Sequence, residues 1–290
     1  MIEVRGPCGT IGVLHARKAT DARAALLPWW NCAVSDNPFG MQGYTPSTYG
    51  ESMADVYDSW YSDLGDHDLV DTLVRLLPAG PADILELGVG TGRLLDLLVR
   101  ARKGTADRTT GIDTSAAMIE RARRVPSLAA ARLDVGDFSS ALPDGPHDLV
   151  FCGYNTFFNL PDTDAMSRAM RLVRSVLRDG GMLVIDAFVP GAGTAGDRVS
   201  IRTITADSVV MNVSVHDESG QRITGQFVEL RDGAPVRLRP WAVRYVLPGQ
   251  LDEIAHEAGL RLVERHADGR GTPFTPGSRR HVSVYGALHP

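Results

Sequence analysis

The chain has 290 residues, 43% hydrophobic and 22% charged, proportions of a folded globular protein with a sizeable core. Its formal net charge of -5 and pI near 5.9 exclude a global positive field that would gather nucleic acid or an anionic membrane, and so favour a small-molecule partner. The three cysteines, Cys8, Cys32 and Cys152, lack metal-ligand spacing and suit a reducing cytoplasm, and no apolar run has the length of a signal peptide or a bilayer span.

Residues 1–43 read as an N-terminal extension with weak periodicity, scattered Gly and Pro, and an isolated aromatic patch at Trp29 and Trp30. Residues 44–80 read as a helical lid. Its helices are expected over 51–64 and 66–77, the second burying Leu69, Val70, Leu73, Val74 and Leu77 before Pro78 stops it.

Residues 81–190 read as the core. The stretch 84–98, ILELGVGTGRLLDLL, predicts strand, glycine turn and helix, with Gly88, Gly90 and Gly92 in the turn and Leu94, Leu95 and Leu98 at helical spacing. Alternate glycines remove side chains that would hold a ligand off the backbone, and the first helical turn offers unpaired N–H groups. Strands then alternate with amphipathic helices: strands over 109–113, 130–134, 148–152 and 182–188, helices over 115–124 and 162–177. That alternation predicts a parallel α/β sheet. Met166, Met170, Val173 and Leu177 form one stripe of the last helix, with Gly180 as its C-cap signal.

Residues 191–247 change to strands joined by turns, with a hairpin break at Glu218, Ser219 and Gly220, and read as a small antiparallel sheet inserted on the substrate side. Residues 248–290 return to the core. A helix through Leu251, Ile254, Ala255 and Ala258 ends at Gly259, and strands follow over 260–266 and 281–288.

The glycine spacing is E-x-G-x-G-x-G, with Glu86 two places before Gly88, whereas a dinucleotide fingerprint reads G-x-G-x-x-G. In this the chain resembles the class I S-adenosylmethionine-dependent methyltransferases. The resemblance runs as an arrangement from Tyr44 to the C-terminus and is specific at 84–92, Asp113, Asp137 and Phe138. It implies a Rossmann-like, doubly wound seven-stranded sheet with an antiparallel last strand, S-adenosyl-L-methionine as cofactor, S-adenosyl-L-homocysteine as product, and no metal.

Asp113 closes the second strand about twenty residues after the turn, where an acid accepts from ribose hydroxyls. Asp113, Thr114 or Ser115 would equally cap the next helix. The resemblance places adenine at Asp137 and Phe138 with Met118 nearby, although a Met at helical spacing also suits a core. It places the methionine half at Glu86, Gly88 and Gly90, with Gly92 completing the turn. Tyr49 and Tyr57 resemble tyrosines that fold over the cofactor, or else form an aromatic helix face. Thr114, Cys152 and Tyr154 complete the cofactor candidates.

The segment after the fourth strand, CGYNTFFNL over 152–160, sorts substrate classes. It lacks the Pro-Pro-aromatic motif of DNA amino-methyltransferases, the paired glutamates of protein arginine methyltransferases and the carboxylates of magnesium-dependent catechol enzymes. It is similar instead to bacterial natural-product methyltransferases, including those acting on amino sugars, which carry a β insertion after the fifth strand.

Methyl transfer from a sulfonium is an in-line displacement, so the protein mainly aligns the reactants in a dry cavity. A protonated nucleophile needs a proton acceptor, and histidine is the usual one near neutral pH. His281 is the first candidate because it begins the last strand, which in the resembled fold starts beside the carboxyl ends of the others. His216 is second, and Asn155 would orient the substrate. Trp241, Arg244, Tyr245, Arg279 and Arg280 would line or clamp it, and each also fits a packing or solvated role. The expected function is methyl transfer to nitrogen or oxygen of a small molecule in secondary metabolism, by a cytoplasmic protein with no nucleic-acid or membrane partner, a homodimer being allowed. Rivals are a nicotinamide oxidoreductase, a cofactor-binding regulatory subunit, and the same fold turned to a non-methylating reaction.

Overall fold

The computed structural model describes residues 3–5, 11–13, 37–62, 67–191 and 196–288. The Trp29–Trp30 patch and residues 63–66 lie outside them, as do Cys8 and Cys32. The chain divides into two compact units, Met1–Ser35 and Asp36–Pro290. In the first, β1 (Glu3–Arg5) pairs antiparallel with β2 (Ile11–Val13).

The second unit begins with the short helices α1 (Thr48–Met53) and α2 (Tyr57–Trp60), followed by α3 (His67–Leu76). The first expected lid helix is thus broken, and at the break Asp55 gives its carboxylate to Arg237 and Arg239. The core follows as β3 (Asp83–Leu87), α4 (Arg93–Ala101), β4 (Arg108–Asp113), α5 (Ala116–Ala122), β5 (Arg132–Val135), β6 (His147–Cys152), α6 (Thr163–Val176) and β7 (Leu177–Phe188). Then come β8 (Gly196–Ile204), β9 (Ser208–Asp217), β10 (Arg222–Arg231) and β11 (Arg237–Arg244), and finally α7 (Pro248–Glu257), β12 (Leu260–His266) and β13 (Arg280–Ala287).

The large sheet has the order β12-β13-β7-β6-β3-β4-β5, with β13 antiparallel to both neighbours and the strands from β7 to β5 parallel. This is the Rossmann-like seven-stranded arrangement that the sequence led us to expect. Its strands alternate between two buried faces, as the period of two requires. Leu85, Val150, Cys152, Leu183 and Ile185 pack with Met166, Met170 and Val173 of α6 and Leu251 of α7. Ile84, Leu149, Phe151, Val184, Val282 and Val284 pack with Leu69 and Leu73 of α3 and Leu94, Leu95 and Leu98 of α4. Full burial of a Leu such as Leu95 or Leu98 contributes about 1.5–3 kcal/mol, so the two faces fix which strand residues point where.

Helix α6 opens on Asp162, whose side chain accepts from Ala165 N at 2.7 Å. It ends earlier than expected. Leu177 is already extended, and Gly180, with φ 80°, lies within β7 rather than capping the helix. The reason is a large bulge: His147 pairs with Leu177 but Leu149 with Met182, and a Cβ at Gly181 would come within 2.7 Å of the His147 carbonyl.

The inserted sheet is antiparallel in the order β11-β10-β9-β8. Asp217 closes its central hairpin by accepting from Gly220 N (2.9 Å) and Ser219 Oγ (2.7 Å). Met53 of α1 packs with Met118 of α5 and with Val210 and Phe227 of this sheet. Arg202 lies over Trp60 and Tyr61, 4.9 and 4.8 Å from their ring centroids.

Candidate functional site

The site grows from the end of β3. Gly88, Gly90 and Gly92 all have positive φ (69°, 54° and 82°), a conformation that L side chains resist. Their environments differ. A Cβ at Gly88 would overlap the Thr156 methyl and one at Gly92 would reach Leu128 Cδ1 at 2.5 Å, whereas beside Gly90 there is open space. Gly88 and Gly92 therefore serve packing, and Gly90 leaves the backbone open to a ligand. Gly88 N and Val89 N donate to the Ile112 carbonyl at 2.7 and 3.0 Å, tying the turn to β4.

Asp113, ending β4, accepts from Gly90 N (2.9 Å) through one oxygen and from Ser115 N (2.8 Å) through the other. Ser115 itself caps α5, its Oγ accepting from Met118 N. Enclosure raises the Asp113 carboxyl above the ordinary carboxylate range, against the opposing pull of those two N–H donors. Asp137, beyond β5, accepts from Ser139 N, Ser139 Oγ and Ser140 Oγ. Phe138 is buried and stacks with Phe157, centroids 6.5 Å apart.

Two cavities lie here, with Thr156 in the lining of both. One, of about 350 Å³, is lined by Tyr44, Tyr49, Asp113, Thr114, Asp137 and Phe138 among others. The second, of about 30 Å³, is lined by Tyr57, Glu86, Gly88, Gly90, Arg93 and Tyr154 among others. A larger hollow of about 750 Å³ opens between α1, α5 and β11, but its wall is largely charged side chains and contains no residue of the glycine turn. Position at the carboxyl ends of parallel strands is the better guide to a ligand site.

Helices α1 and α2 pack beside the turn. Tyr49 and Tyr57 pack edge to face at 6.5 Å, Tyr49 OH lies 3.4 Å from Tyr61 OH, and burial pushes Tyr57 up to about 12 and Tyr49 well above its ordinary value. Asp58 accepts from Thr91 Oγ1 at 2.6 Å, latching α2 to the glycine turn.

Among the expected cofactor residues, Met118, Cys152 and Gly92 do not line either cavity. Met118 packs with Met53 and Phe227, and Cys152 sits in the core, where burial pushes its thiol well up. The expected catalytic residues are also placed apart. His281 is fully buried, Nδ1 2.8 Å from Ser283 Oγ, and desolvation, aided by Arg265 and Arg280, lowers it to about 4. Val282 and Val284 face α3 and α4, so alternation turns His281 to the opposite face with Ser283 and Tyr285. His216 is buried with Nε2 2.9 Å from Tyr245 OH. Asn155, at φ 66°, accepts from Phe188 N at 2.6 Å and donates its own N–H to the Asp186 carbonyl, so it holds the β6 and β7 ends together.

Of the expected substrate residues, Trp241 donates to Asn212 Oδ1 at 3.0 Å and Tyr245 is held by His216. Arg244 is half-buried, desolvation drawing it below the usual arginine range, and Arg279 is exposed and packs against Gly191. Arg280 forks onto Asp186 and lies 5.7 Å from the Tyr154 ring centroid. Sequence reasoning missed Thr156, which lines both cavities, and Arg93, which lines the smaller one. Arg93 had a signal: it is the first helical residue after the last glycine.

A model described as a methyltransferase domain matches residues 84–181. The structure of the CcbJ methyltransferase from Streptomyces caelestis superposes with a TM-score of 0.77 at 33% identity, covering 85% of this chain and 100% of that one. The chain belongs to the class I S-adenosylmethionine-dependent methyltransferases. An uncharacterized methyltransferase of Anoxybacillus flavithermus is 34% identical over 146 residues, 49% of this chain and 61% of that protein, so the chain spans under two thirds of this relative. CalS10 from Micromonospora echinaspora, titled an S-adenosylmethionine-bound amino pentose methyltransferase, shares the fold at a TM-score of 0.61 and 19% identity, over 79% of this chain and 96% of that one. Among the described residues of this methyltransferase, no helix is long and apolar enough to cross a membrane.

Proposed function

We propose that this methyltransferase binds S-adenosylmethionine across the two cavities and transfers its methyl group to a nitrogen of a small natural-product molecule. The observation that carries the reading is the junction at Thr156: a chamber holding Asp113, Asp137 and Phe138 meets a narrow one holding Glu86 and the open backbone of Gly90. The donor set fits the cofactor. Asp113 offers carboxylate lone pairs to a ribose diol, Asp137 and Phe138 flank an adenine, and Glu86 offers an anion to an ammonium group. Bound there, the cofactor supplies an electrophilic methyl on sulfur. Tyr57 and Tyr154 then wall off water, and the lid latch between Asp58 and Thr91 holds that wall in place.

Nitrogen is favoured over oxygen by where the histidines go. His216 and His281 are both buried and engaged, with Tyr245 and Ser283 respectively, so an acceptor that loses its proton readily to water fits better than an alcohol. The amino pentose acceptor named for CalS10 illustrates the class we propose. The test is incubation with ¹³C-methyl cofactor and matched amino and hydroxy sugars, read by mass and methyl chemical shift. N-methyl product supports the reading; O-methyl product alone would reassign the acceptor atom, and cofactor binding without any product would favour the regulatory-subunit rival.

A further inference from the structure

We propose that Trp60, Tyr61 and Phe227 form a box that binds an organic ammonium group of the methyl acceptor, and that the Arg202 guanidinium is a displaceable stand-in for that group. The ligand class rests on the amine acceptor proposed above, whereas the box rests on its own geometry. Three rings surround one cation. The guanidinium carbon of Arg202, on β8, lies 4.9 Å from the Trp60 ring centroid at the end of α2, 4.8 Å from Tyr61 and 5.6 Å from Phe227 on β10. Each distance is within the roughly 6 Å over which a ring quadrupole attracts a cation, the interaction by which aromatic cages take methylated and quaternary ammonium ligands. Trp60 and Phe227 stand edge to face with centroids 5.4 Å apart, so two walls of the box meet at a steep angle. The box adjoins the crevice. Tyr61 packs against Tyr57 at 4.8 Å, and Tyr57 lines the narrow cavity with Glu86 and Gly90.

Arg202 is placed as an occupant that can leave. It is the extra residue of a β-bulge: Ile201 pairs with Met211 and Thr203 with Val210, which leaves Arg202 out of the ladder and re-aims its side chain. The strand is an edge strand, exposed along its length except at Arg202, which is half-buried. Among the described residues Arg202 meets no carboxylate, and it donates a hydrogen bond to the Trp60 carbonyl. Arg239 shows the contrast. It lies 5.5 Å from the same Trp60 ring but is buried and forks onto Asp55 and Glu229, so its withdrawal would strand two acids. Withdrawal of Arg202 strands none. It gives up ring contacts and a hydrogen bond to a carbonyl, and an incoming ammonium replaces both in kind. An uncharged group of the same shape would gain no such attraction to offset the expulsion of Arg202, so the box selects for positive charge. Because the acceptor competes with Arg202, its apparent affinity is reduced by the fraction of molecules in which Arg202 fills the box.

The experiment titrates the full chain, in the presence of S-adenosylhomocysteine, with choline as the ammonium probe and 3,3-dimethyl-1-butanol as its uncharged isostere, followed by tryptophan fluorescence. Wild type should bind choline at least about threefold more tightly than the isostere. Arg202→Ala should tighten choline by about tenfold, because the competing cation is gone, and leave the isostere within about twofold of wild type. Arg202→Lys keeps a cation for the box and should leave choline within about twofold of wild type. Phe227→Leu added to Arg202→Ala should return most of the gain. A residue that only braces β8 would give the opposite sign: choline binding unchanged or weaker in Arg202→Ala overturns the proposal, and so does an equal gain for the isostere. A wild type that does not distinguish the two probes overturns it as well, a comparison that needs no variant to fold. S-adenosylhomocysteine is titrated separately. Its failure to bind wild type would overturn the reading of the crevice and, with it, the box as an acceptor site, whereas its normal binding without a preference for choline would overturn the box alone.

Discussion

Asp113 and Asp186 both close parallel strands at the mouth of the same sheet, and enclosure raises both carboxyls, yet they do different work. Asp113 is met by peptide N–H groups of Gly90 and Ser115, borders the larger chamber, and keeps lone pairs to offer there. Asp186 is met by the Arg280 fork and by Tyr154 N, borders neither chamber, and braces the β6–β7–β13 side. Partner chemistry, more than position on the strand, separates an acid that borders the chamber from a bracing one.

The largest expected effect comes from the braced side. Arg280→Ala leaves Asp186 buried without its counter-ion, a loss of about 3 kcal/mol, the lower end of the range because Arg280 is partly exposed. Denaturant unfolding checks it; a change below about 1 kcal/mol would mean Asp186 is satisfied without the ion pair. On the same strand, His281 is held at about 4 against 6.5 for an ordinary histidine. Its folded pKa is depressed, so the unfolded chain takes up the extra proton as pH falls from 6.5 towards 4, and stability drops across that window. At about 1.4 kcal/mol per pKa unit the upper bound is about 3 kcal/mol. His281→Gln should flatten that acid limb of the unfolding free energy, and an unchanged slope would show that His281 is protonated in the fold.

The ligand-facing side should respond in affinity more than in stability. Asp113→Ala should weaken S-adenosylhomocysteine binding by about 1.5–3 kcal/mol, the value of hydrogen bonds to a charged group, read by calorimetry. Asp186→Asn, by contrast, should move the unfolding midpoint more than the affinity. The smallest effect is Gly90→Ala: no atom blocks the new Cβ, and the left-handed backbone costs about 1–2 kcal/mol in the unfolding free energy.

How much of this the sequence showed follows the same division. The β3 turn and α4 were legible because glycine spacing and helical periodicity are local, and the seven-stranded sheet with its antiparallel last strand followed from the family resemblance. Asp113 was singled out because it ends a strand, Asp137 and Phe138 through the family resemblance, and all three line the larger chamber. The β13 side was not legible. Both faces of that strand are buried, so its pattern gives no phase, and a shift of one residue exchanges Arg280, which meets Asp186, for His281, which turns towards Tyr285 and α7. Gly180 looked like a helix stop because a positive-φ glycine serves a cap and a bulge alike. Arg93 went unnoticed because a charged residue at a helix start reads as solvated until the Tyr57 and Tyr154 rings are placed around it.

We propose that the paired chambers hold S-adenosylmethionine with Asp113 facing the ligand. The most direct test is titration of wild type and Asp113→Ala with S-adenosylhomocysteine beside NADH. S-adenosylhomocysteine alone should bind, at one site per chain, at least about tenfold more weakly in the variant. Binding of NADH in its place, or equal affinity in the two proteins, would contradict it.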